Sequence, residues 1–349
     1  MEATMSLQKL LGIELPVIQA PMAGVQAGAL AIAVSNAGGL GSLPCAMLSA
    51  EAMAKELAKI KANTTRAFNV NFFCHTPPAP SAQRAAAWRA ALAPYFQEFG
   101  IDMASIADGP GRAPFSAEYA DILAQFKPAV VSFHFGLPAP ELLARVRAWG
   151  AKVIASATTV DEARWLVEQG VDAVIAQGVE AGGHRGIFKS DDLTTQVGTF
   201  ALLPQVVRAV NVPVIAAGGI ADARGVAAAM KLGAAGAQVG TAYMLCPEAT
   251  TSEIHRAALK SEAARHTALT NLFTGRPARG IVNRIMRELG ALSAAAPEFP
   301  LATSAIAPLR AKAESLGSGD FSPLWAGQNA SGCREIPAGK LTRELGAGL

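Results

Sequence analysis

The sequence predicts an α/β fold in which parallel strands close into a (β/α)8 TIM barrel, and three observations predict it. Short apolar runs recur along the chain and end in Gly, Asn or Pro, as buried strands do. Helix-compatible segments separate most of these runs, which favours a parallel sheet covered on both faces. The loops after the last runs are rich in glycine. Eight such units indicate a closed barrel with an insert after the third strand and a mainly helical C-terminal lobe.

The first four predicted strands are apolar runs bounded by turn residues. Residues 16–21 begin and end with proline, and residues 39–43 contain two glycines. Residues 67–72 place asparagines between apolar side chains, and residues 129–135 form a Val- and Phe-rich run. A long Ala-rich stretch, about residues 74–128, separates the third and fourth strands, so we predict the insert there.

The last four predicted strands follow one another more regularly. They lie at residues 152–157, 173–177, 213–217 and 237–244. Between the fifth and sixth strands, Thr159 can cap a helix that has acids in its first turn and ends before Gly170. This strand, helix and glycine order is typical of a barrel unit.

Beyond residue 244 the chain turns to segments rich in Ala, Glu and Arg, with no clear strand. We therefore expect the barrel to occupy residues 1–247 and a helical lobe over the barrel mouth to occupy residues 248–320. The final segment, 321–349, is expected to return to the barrel.

Composition limits the classes of partner. The chain has 349 residues, of which 51% are hydrophobic and 16% charged, so it can bury a large core and disorder is not expected. A net charge of +3 without a basic block argues against nucleic acid. Cys45, Cys74, Cys246 and Cys333 are too widely spaced for paired metal ligands and too few for a disulfide scaffold. We expect no metal site and a reducing compartment.

A membrane location is not expected either. Residues 16–50 carry no charged side chain, but Gln, Asn, Pro and Gly interrupt the run, which we therefore assign to the core. Residues 1–4 lack the basic start of an export signal. The predicted location is the cytoplasm.

The loop at residues 176–186 is the most informative segment. It follows an apolar run and combines His184 and Arg185 with four glycines. Glycines let the backbone approach a flat ligand, and a histidine there can reach what lies above that ligand. The plainer alternative is a Gly-rich turn that carries a solvated His-Arg pair.

Small residues also follow the seventh and eighth strands, at 217–222 and 238–241. Barrels of this kind often bind phosphate at these two loops, where backbone N–H groups and a nearby helix start favour an anion. Their occurrence at both places predicts a phosphate site.

At these motifs the chain resembles the flavin-dependent nitronate monooxygenases, formerly called 2-nitropropane dioxygenases. The resemblance is carried by residues 16–24, 69–72, 132–136, 177–186, 216–220, 238–241 and 324–328. It spans nearly the whole chain, and its specific part is the Ala-Gly-Gly-His-Arg-Gly run at 181–186, whereas many FMN barrels share the phosphate loops.

The resemblance implies a bound FMN and the residues that hold it. Asn71 and Gln177 would bond the polar part of the flavin, and Gly182 would bring backbone to it. The implied phosphate cradle consists of Gly218, Gly219, Gly240 and Thr241, with Gln238 and Val239 beside it. Taken alone, Asn71 and Gln177 could also be polar caps on strand ends.

Two histidines are the candidate catalytic residues. Alternation along the fourth strand places His134 opposite the neighbouring Phe133 and Phe135, in the direction of the barrel mouth, although a core histidine is an alternative. His184 lies in a loop with no core to fill. The resemblance implies that both face the substrate, with His184 favoured as the base or anion-stabilising group.

The implied activity is oxidation of alkyl nitronates, and of nitroalkanes as further candidates, by O2 to a carbonyl compound and nitrite without NAD(P)H. One alternative is an NADH-dependent quinone or enoyl-thioester reductase on the same barrel. Another is a flavin-binding protein without catalysis. Chemistry like that of IMP dehydrogenase is set aside because residues 178–186 contain no cysteine. The preferred chain length and the oligomeric state stay open.

Overall fold

A computed structural model describes residues 6–106 and 112–348. Residues 1–5, which include those inspected for an export signal, and residues 107–111 within the predicted insert lie outside the described part. The strands are β1 (Val17–Gln19), β2 (Gly41–Pro44), β3 (Phe68–Phe73), β4 (Val130–His134), β5 (Lys152–Ala157), β6 (Ala173–Gln177), β7 (Gly183–His184), β8 (Val214–Ala217), β9 (Gly236–Val239), β10 (Thr267–Thr270) and β11 (Ala278–Ile281).

Eight of these strands form the predicted barrel. Their order is β1-β9-β8-β6-β5-β4-β3-β2, and every pairing between neighbours is parallel. The sheet closes where Leu40, just before β2, exchanges hydrogen bonds of 2.9 Å with the backbone of Val17 and Gln19 in β1. The predicted fold class is thus confirmed.

The helices are α1 (Leu7–Leu11), α2 (Gly28–Asn36), α3 (Ala50–Asn63), α4 (Ala82–Glu98), α5 (Ala117–Phe126), α6 (Pro140–Arg147), α7 (Val160–Glu168), α8 (Thr199–Ala209), α9 (Ala223–Lys231), α10 (Glu253–Lys260), α11 (Arg284–Glu288), α12 (Ala302–Ser315) and α13 (Ala338–Leu345). The predicted cap of α7 is present, because the Thr159 hydroxyl accepts a hydrogen bond from the backbone N–H of Glu162. Among the described residues, no helix is both long and apolar enough to cross a bilayer.

The barrel has an inner and an outer apolar layer. Along β4, Val131 and Phe133 pack outward in the layer below the helices, whereas Val130 packs in the interior cluster. Leu7 and Leu11 of α1 join that interior cluster. The barrel interior next to α1 is therefore filled with apolar side chains.

Two strand ends differ from the prediction. The eighth barrel strand ends at Val239, since Gly240 leaves the extended region (φ −113°, ψ −78°) and residues 241–243 form a 3₁₀ turn. The apolar run continues to Met244 because Tyr243 and Met244 are buried in helical packing. In the fourth strand, Phe135 lies beyond the strand with φ 68°, so it breaks the alternation.

The predicted insert and the lobe share one apolar core. Trp88 and Phe96 of α4 pack with Ile306 and Leu309 of α12, and the indole N–H of Trp88 donates to the Ala302 carbonyl at 3.1 Å. In contrast, α5 packs beside α3 and α6 as a helix of the barrel.

Sequence reasoning missed a small antiparallel sheet in this region. Strands β10 and β11 of the lobe pair with each other, and β11 also pairs with β7, which contains His184. The lobe is thereby joined by backbone hydrogen bonding to the Gly-rich loop that follows β6. At the C-terminal end, α13 packs on α2 and α9, and the hydroxyls of Tyr243 and Thr342 are 2.9 Å apart.

Candidate active site

A cavity opens at the carboxyl ends of the barrel strands. The predicted site residues that line it are Asn71, His134, Gln177, Gly182, His184, Gly218, Gly219, Gln238, Gly240 and Thr241. They meet there because several are the last residues of parallel strands or the first residues after them. Val239 does not line the cavity, since its side chain is buried with Val17 and Ala242 in the core.

The loops after β8 and β9 form one end of the cavity. Gly218 and Gly219 have φ values of 118° and 73°, in the region that favours glycine. Within the described chain, the backbone N–H groups of Gly219, Gly240 and Thr241 donate no hydrogen bond to another backbone group. Free N–H groups in turns are suited to a phosphate. These loops can therefore hold the phosphate of a nucleotide-like ligand.

A segment near the C-terminus closes this end. The Gly327 N–H donates to the Thr241 hydroxyl at 2.9 Å, and the Asn329 side chain donates to the Gly219 carbonyl at 3.0 Å. The fit is tight, because a Cβ added at Gly182 would lie 2.5 Å from the Gly327 nitrogen. The motif predicted at residues 324–328 thus packs directly on the glycine loop.

Arg185 determines the shape of that loop. Its guanidinium is fully buried and donates to the carbonyls of Gln177 and Gly178 at 2.8 and 2.7 Å, and to the Gln196 side chain at 3.1 Å. Burial lowers its pKa to about 10, so the group stays charged at neutral pH. The alternative of a solvated His-Arg pair does not describe this loop.

Gln177 and Asn71 differ in how much hydrogen-bonding capacity they leave for a ligand. The Gln177 amide donates to the His184 carbonyl at 3.0 Å and accepts from the Gly186 N–H at 2.8 Å. Asn71 donates to the Ser132 carbonyl and hydroxyl at 3.2 and 2.9 Å. Among the described residues, the Asn71 oxygen has no side-chain hydrogen-bond donor. Gln177 thus mainly orders the loop, and Asn71 keeps an acceptor for a ligand.

Gln238 provides the clearest sign of a missing hydrogen-bond partner. Its Oε1 is buried and has no hydrogen-bond donor within the described chain. Since a buried acceptor without a donor costs about 1–3 kcal/mol, a ligand N–H in the cavity would remove that cost. The flat ring of a flavin carries an N–H group that can donate to this oxygen.

His134 uses both ring nitrogens inside the protein. Nε2 lies 3.2 Å from the His184 carbonyl, which can only accept, so Nε2 carries a proton and Nδ1 faces the Ser156 hydroxyl at 3.0 Å. Burial, followed by the positive charges of Arg276 and Arg185, lowers the pKa of His134 to about 3. The imidazole is therefore neutral and acts as a hydrogen-bond donor to the loop.

His184 is held differently. Its Nε2 lies 2.9 Å from the Thr274 hydroxyl, and its Nδ1 has no hydrogen-bond partner among the described residues. The rings of Phe299 and Trp325 pack around it, with centroids 5.4 and 5.6 Å away. Burial, then the positive charge of Arg112, lowers the pKa of His184 well below its ordinary value. A neutral imidazole with one free nitrogen can accept a proton.

The charge around the cavity is positive. Among the described residues no carboxylate lines it, whereas the Arg112 guanidinium does, and that group lies 5.6 Å from the centre of the Phe299 ring. Burial lowers the pKa of Arg112 to about 10, so it remains charged at neutral pH. The Arg276 guanidinium lies 4.1 Å from the centre of the Phe135 ring. Such a cavity attracts anions.

Several of these groups were not singled out from the sequence. Thr274, Ser156, Arg112 and Asn329 come from distant parts of the chain and belong to none of the motifs, so only the folded structure brings them to the site. Among the aromatic residues, Phe73 and Trp325 line the cavity. Phe72 and Phe133 pack in the outer core instead.

The four cysteines are free thiols, and none lines the cavity. Burial raises the pKa of Cys246 and Cys333 to about 12. The described residues contain no group of three or more His, Cys, Asp or Glu side chains arranged to hold a metal ion.

The chain is similar to known proteins over nearly its whole length. The model of the family described as nitronate monooxygenase matches residues 4–348. The nitronate monooxygenase of Pseudomonas aeruginosa is 42% identical over 346 residues, which cover 97% of each chain. The one from Paraburkholderia phytofirmans is 44% identical over 352 residues, covering 97% of this chain and 93% of the relative.

Two solved structures share the fold over nearly the full length. The nitroalkane oxidase from Streptomyces ansochromogenes has a TM-score of 0.88 and 39% identity, covering 98% of this chain and 96% of the other. FabK from Thermotoga maritima has a TM-score of 0.72 and 27% identity, covering 98% and 95%.

Proposed function

The chain belongs to the nitronate monooxygenase family, as its motifs predicted, and from this premise we propose that it oxidises alkyl nitronates with O2 to a carbonyl compound and nitrite. It is an oxidoreductase on a TIM barrel. A flavin cofactor is consistent with membership of this family. We propose that the flavin is FMN and that turnover needs no NAD(P)H. The observation that carries the proposal is the neutral His184 imidazole in a cavity with a guanidinium and, among the described residues, no carboxylate.

The charge of the substrate matches this cavity. A nitronate is the conjugate base of a nitroalkane and carries its negative charge on the nitro oxygens. Arg112 attracts that charge, and the apolar wall of Phe73 and Trp325 keeps water from competing for it. The preferred substrate is therefore a small anion with an apolar chain.

The flavin would be held by groups that the described chain leaves without partners. The N–H groups of Gly219, Gly240 and Thr241 would bind the phosphate, and the buried Gln238 oxygen would accept an N–H of the ring. A bound flavin supplies the redox chemistry that no side chain of the cavity can supply. The protein contributes position and exclusion of water.

The two histidines have separate roles in this proposal. His184 takes a proton from the carbon of a neutral nitroalkane or stabilises the anion of a nitronate that arrives already deprotonated. His134 positions the His184 peptide through the bond from Nε2 to the carbonyl. We therefore propose His184 as the base and His134 as a residue that orders the loop.

The first experiment tests cofactor, substrate and electron donor together. The purified protein should be yellow, release FMN on denaturation, and produce nitrite from ethylnitronate and O2 at a rate that added NADH does not change. Rapid anaerobic bleaching of the flavin by NADH, with no nitrite from ethylnitronate, would establish the reductase alternative. A flavin that reacts with neither would establish a binding protein.

The second experiment tests His184. The His184→Asn variant should lose about 10²–10⁴-fold in kcat/KM for neutral nitroethane, because general base catalysis contributes about that much, and less than about tenfold for ethylnitronate. His266→Asn, at an exposed position, is the matched control and should change neither. Equal, small effects of His184→Asn on both substrates would remove this histidine from the mechanism.

A further inference from the structure

Thr274 is the residue that contacts the His184 imidazole most directly. It lies in the loop between β10 and β11 of the lobe, and its side chain is buried, with 2% exposure. Its hydroxyl oxygen is 2.9 Å from His184 Nε2, the one hydrogen bond of this ring within the described chain. The nitrogen that remains for a substrate is therefore Nδ1.

The Thr274 hydroxyl also has a second partner. It lies 3.4 Å from the carbonyl oxygen of Arg276, to which it can donate, and 3.5 Å from the Arg276 N–H, from which it can accept. A hydroxyl has one hydrogen and two lone pairs. It can therefore accept from an imidazole N–H while its own hydrogen is directed to the Arg276 carbonyl.

Protonation of His184 fixes this arrangement. When a neutral nitroalkane is the substrate, its α C–H bond breaks, the proton forms an N–H bond at Nδ1, and the electron pair moves onto the nitro group. The ring is then a cation with a proton on each nitrogen, and the Nε2 proton needs an acceptor. Within the described chain, the Thr274 oxygen is that acceptor.

We propose that Thr274 is a positioning residue that holds the Nε2 proton of His184 through a chain from Nε2 to the threonine hydroxyl to the Arg276 carbonyl, so that Nδ1 serves as the base. This inference rests on the proposed function of His184. The protonated ring requires such a partner because burial and the positive charge of Arg112 disfavour the cationic form of His184. The hydroxyl supplies a compensating hydrogen bond at the moment the charge forms.

The role also explains why the lobe is tied to the glycine loop. Strand β11 pairs with β7 so that Ala278 lies opposite His184. This pairing brings a residue that is 90 positions from His184 in the chain within hydrogen-bond distance. A preformed nitronate needs no proton abstraction, so its oxidation should depend little on Thr274.

The test compares Thr274→Val, which removes the hydroxyl at nearly constant shape, with Thr274→Ser, which keeps it. In the flavin-loaded protein, Thr274→Val should lower kcat/KM for neutral nitroethane by about 10- to 100-fold, the cost of an unsatisfied buried donor, and change that for ethylnitronate by less than about threefold. Thr274→Ser should restore nitroethane turnover to within about threefold of wild type. Thr270→Val, which removes a buried hydroxyl bonded to the Leu272 N–H, controls for loss of packing in the same lobe.

A second readout does not depend on turnover. In protein labelled with ¹⁵N-histidine, the His184 ring signals, assigned by their loss in His184→Asn, should indicate a proton on Nε2 in wild type and in Thr274→Ser, and a changed tautomer population in Thr274→Val. An unchanged ring spectrum in Thr274→Val, or equal losses on both substrates, would overturn the inference. If the ring responds as expected but wild type makes no nitrite from either substrate, the proposed function fails while the positioning role stands.

Discussion

The neutral state of His134 predicts a specific loss of stability in acid. Its pKa is lowered to about 3 by burial and by nearby arginines, whereas an unfolded histidine titrates near 6.5. Between these two values the unfolded chain binds a proton that the folded protein does not. The contribution of His134 to the free energy of unfolding is therefore fully present above about pH 6.5 and is lost as the pH decreases toward 3.

The size of this loss follows from the same two values. Each pH unit in the window costs about 1.4 kcal/mol, so two units of acidification, from about pH 6.5 to about pH 4.5, cost about 3 kcal/mol through this one side chain. His134→Gln removes the titration but keeps an amide that can donate to the His184 carbonyl. The variant should thus lose about 3 kcal/mol less than wild type over that range.

Chemical denaturation at about pH 7.5 and about pH 4.5, with FMN in excess, measures this difference. Other buried histidines, such as His255, whose pKa burial lowers to about 4, contribute equally to both proteins and cancel. His266→Gln, at an exposed position, serves as control and should behave like wild type. If wild type and His134→Gln lose the same free energy of unfolding, His134 is not held neutral and the tautomer assigned to it is wrong.

Two further predictions concern the proposed cofactor site. Gly182→Ala places a Cβ 2.5 Å from the Gly327 backbone nitrogen, so we expect a loss of about 1–3 kcal/mol in the free energy of unfolding and weaker FMN retention. Gly339→Ala is the control, because its added Cβ meets no atom closer than 3.4 Å. Equal melting temperatures for the two variants would contradict the close approach at Gly182. Gln238→Leu removes the buried acceptor, so the FMN dissociation constant should rise about 10- to 100-fold in a fluorescence titration, and an unchanged constant would show that the oxygen does not meet the ring.

Most of the barrel could be predicted because its strands are buried on both faces and therefore read as continuous apolar runs. The same signal fails at Tyr243 and Met244, which are as apolar as a strand but are buried under helices. Burial alone does not distinguish the two cases. The change of backbone direction at Gly240 sets the true end of the strand.

The short strands near the site could not be predicted for a different reason. Gly183 and His184 are extended because they pair with β11, and a two-residue strand has no periodicity of its own. By contrast, the glycine motifs predicted the loops that we propose for phosphate binding, because the residue types themselves carry that chemistry. Thr274 and Arg112 carry no such local signature, and their roles depend on which groups the folded lobe places beside them.

The wall formed by Gly327 and Asn329 has a consequence for biosynthesis. Gly327 comes 86 positions after Thr241 of the loop that follows β9, and Asn329 comes 110 positions after Gly219 of the loop that follows β8. A ribosome that has completed the eight barrel strands has therefore not yet made one side of the cavity. A nascent chain that stops before residue 327 lacks this wall, so we expect it to retain the proposed flavin poorly.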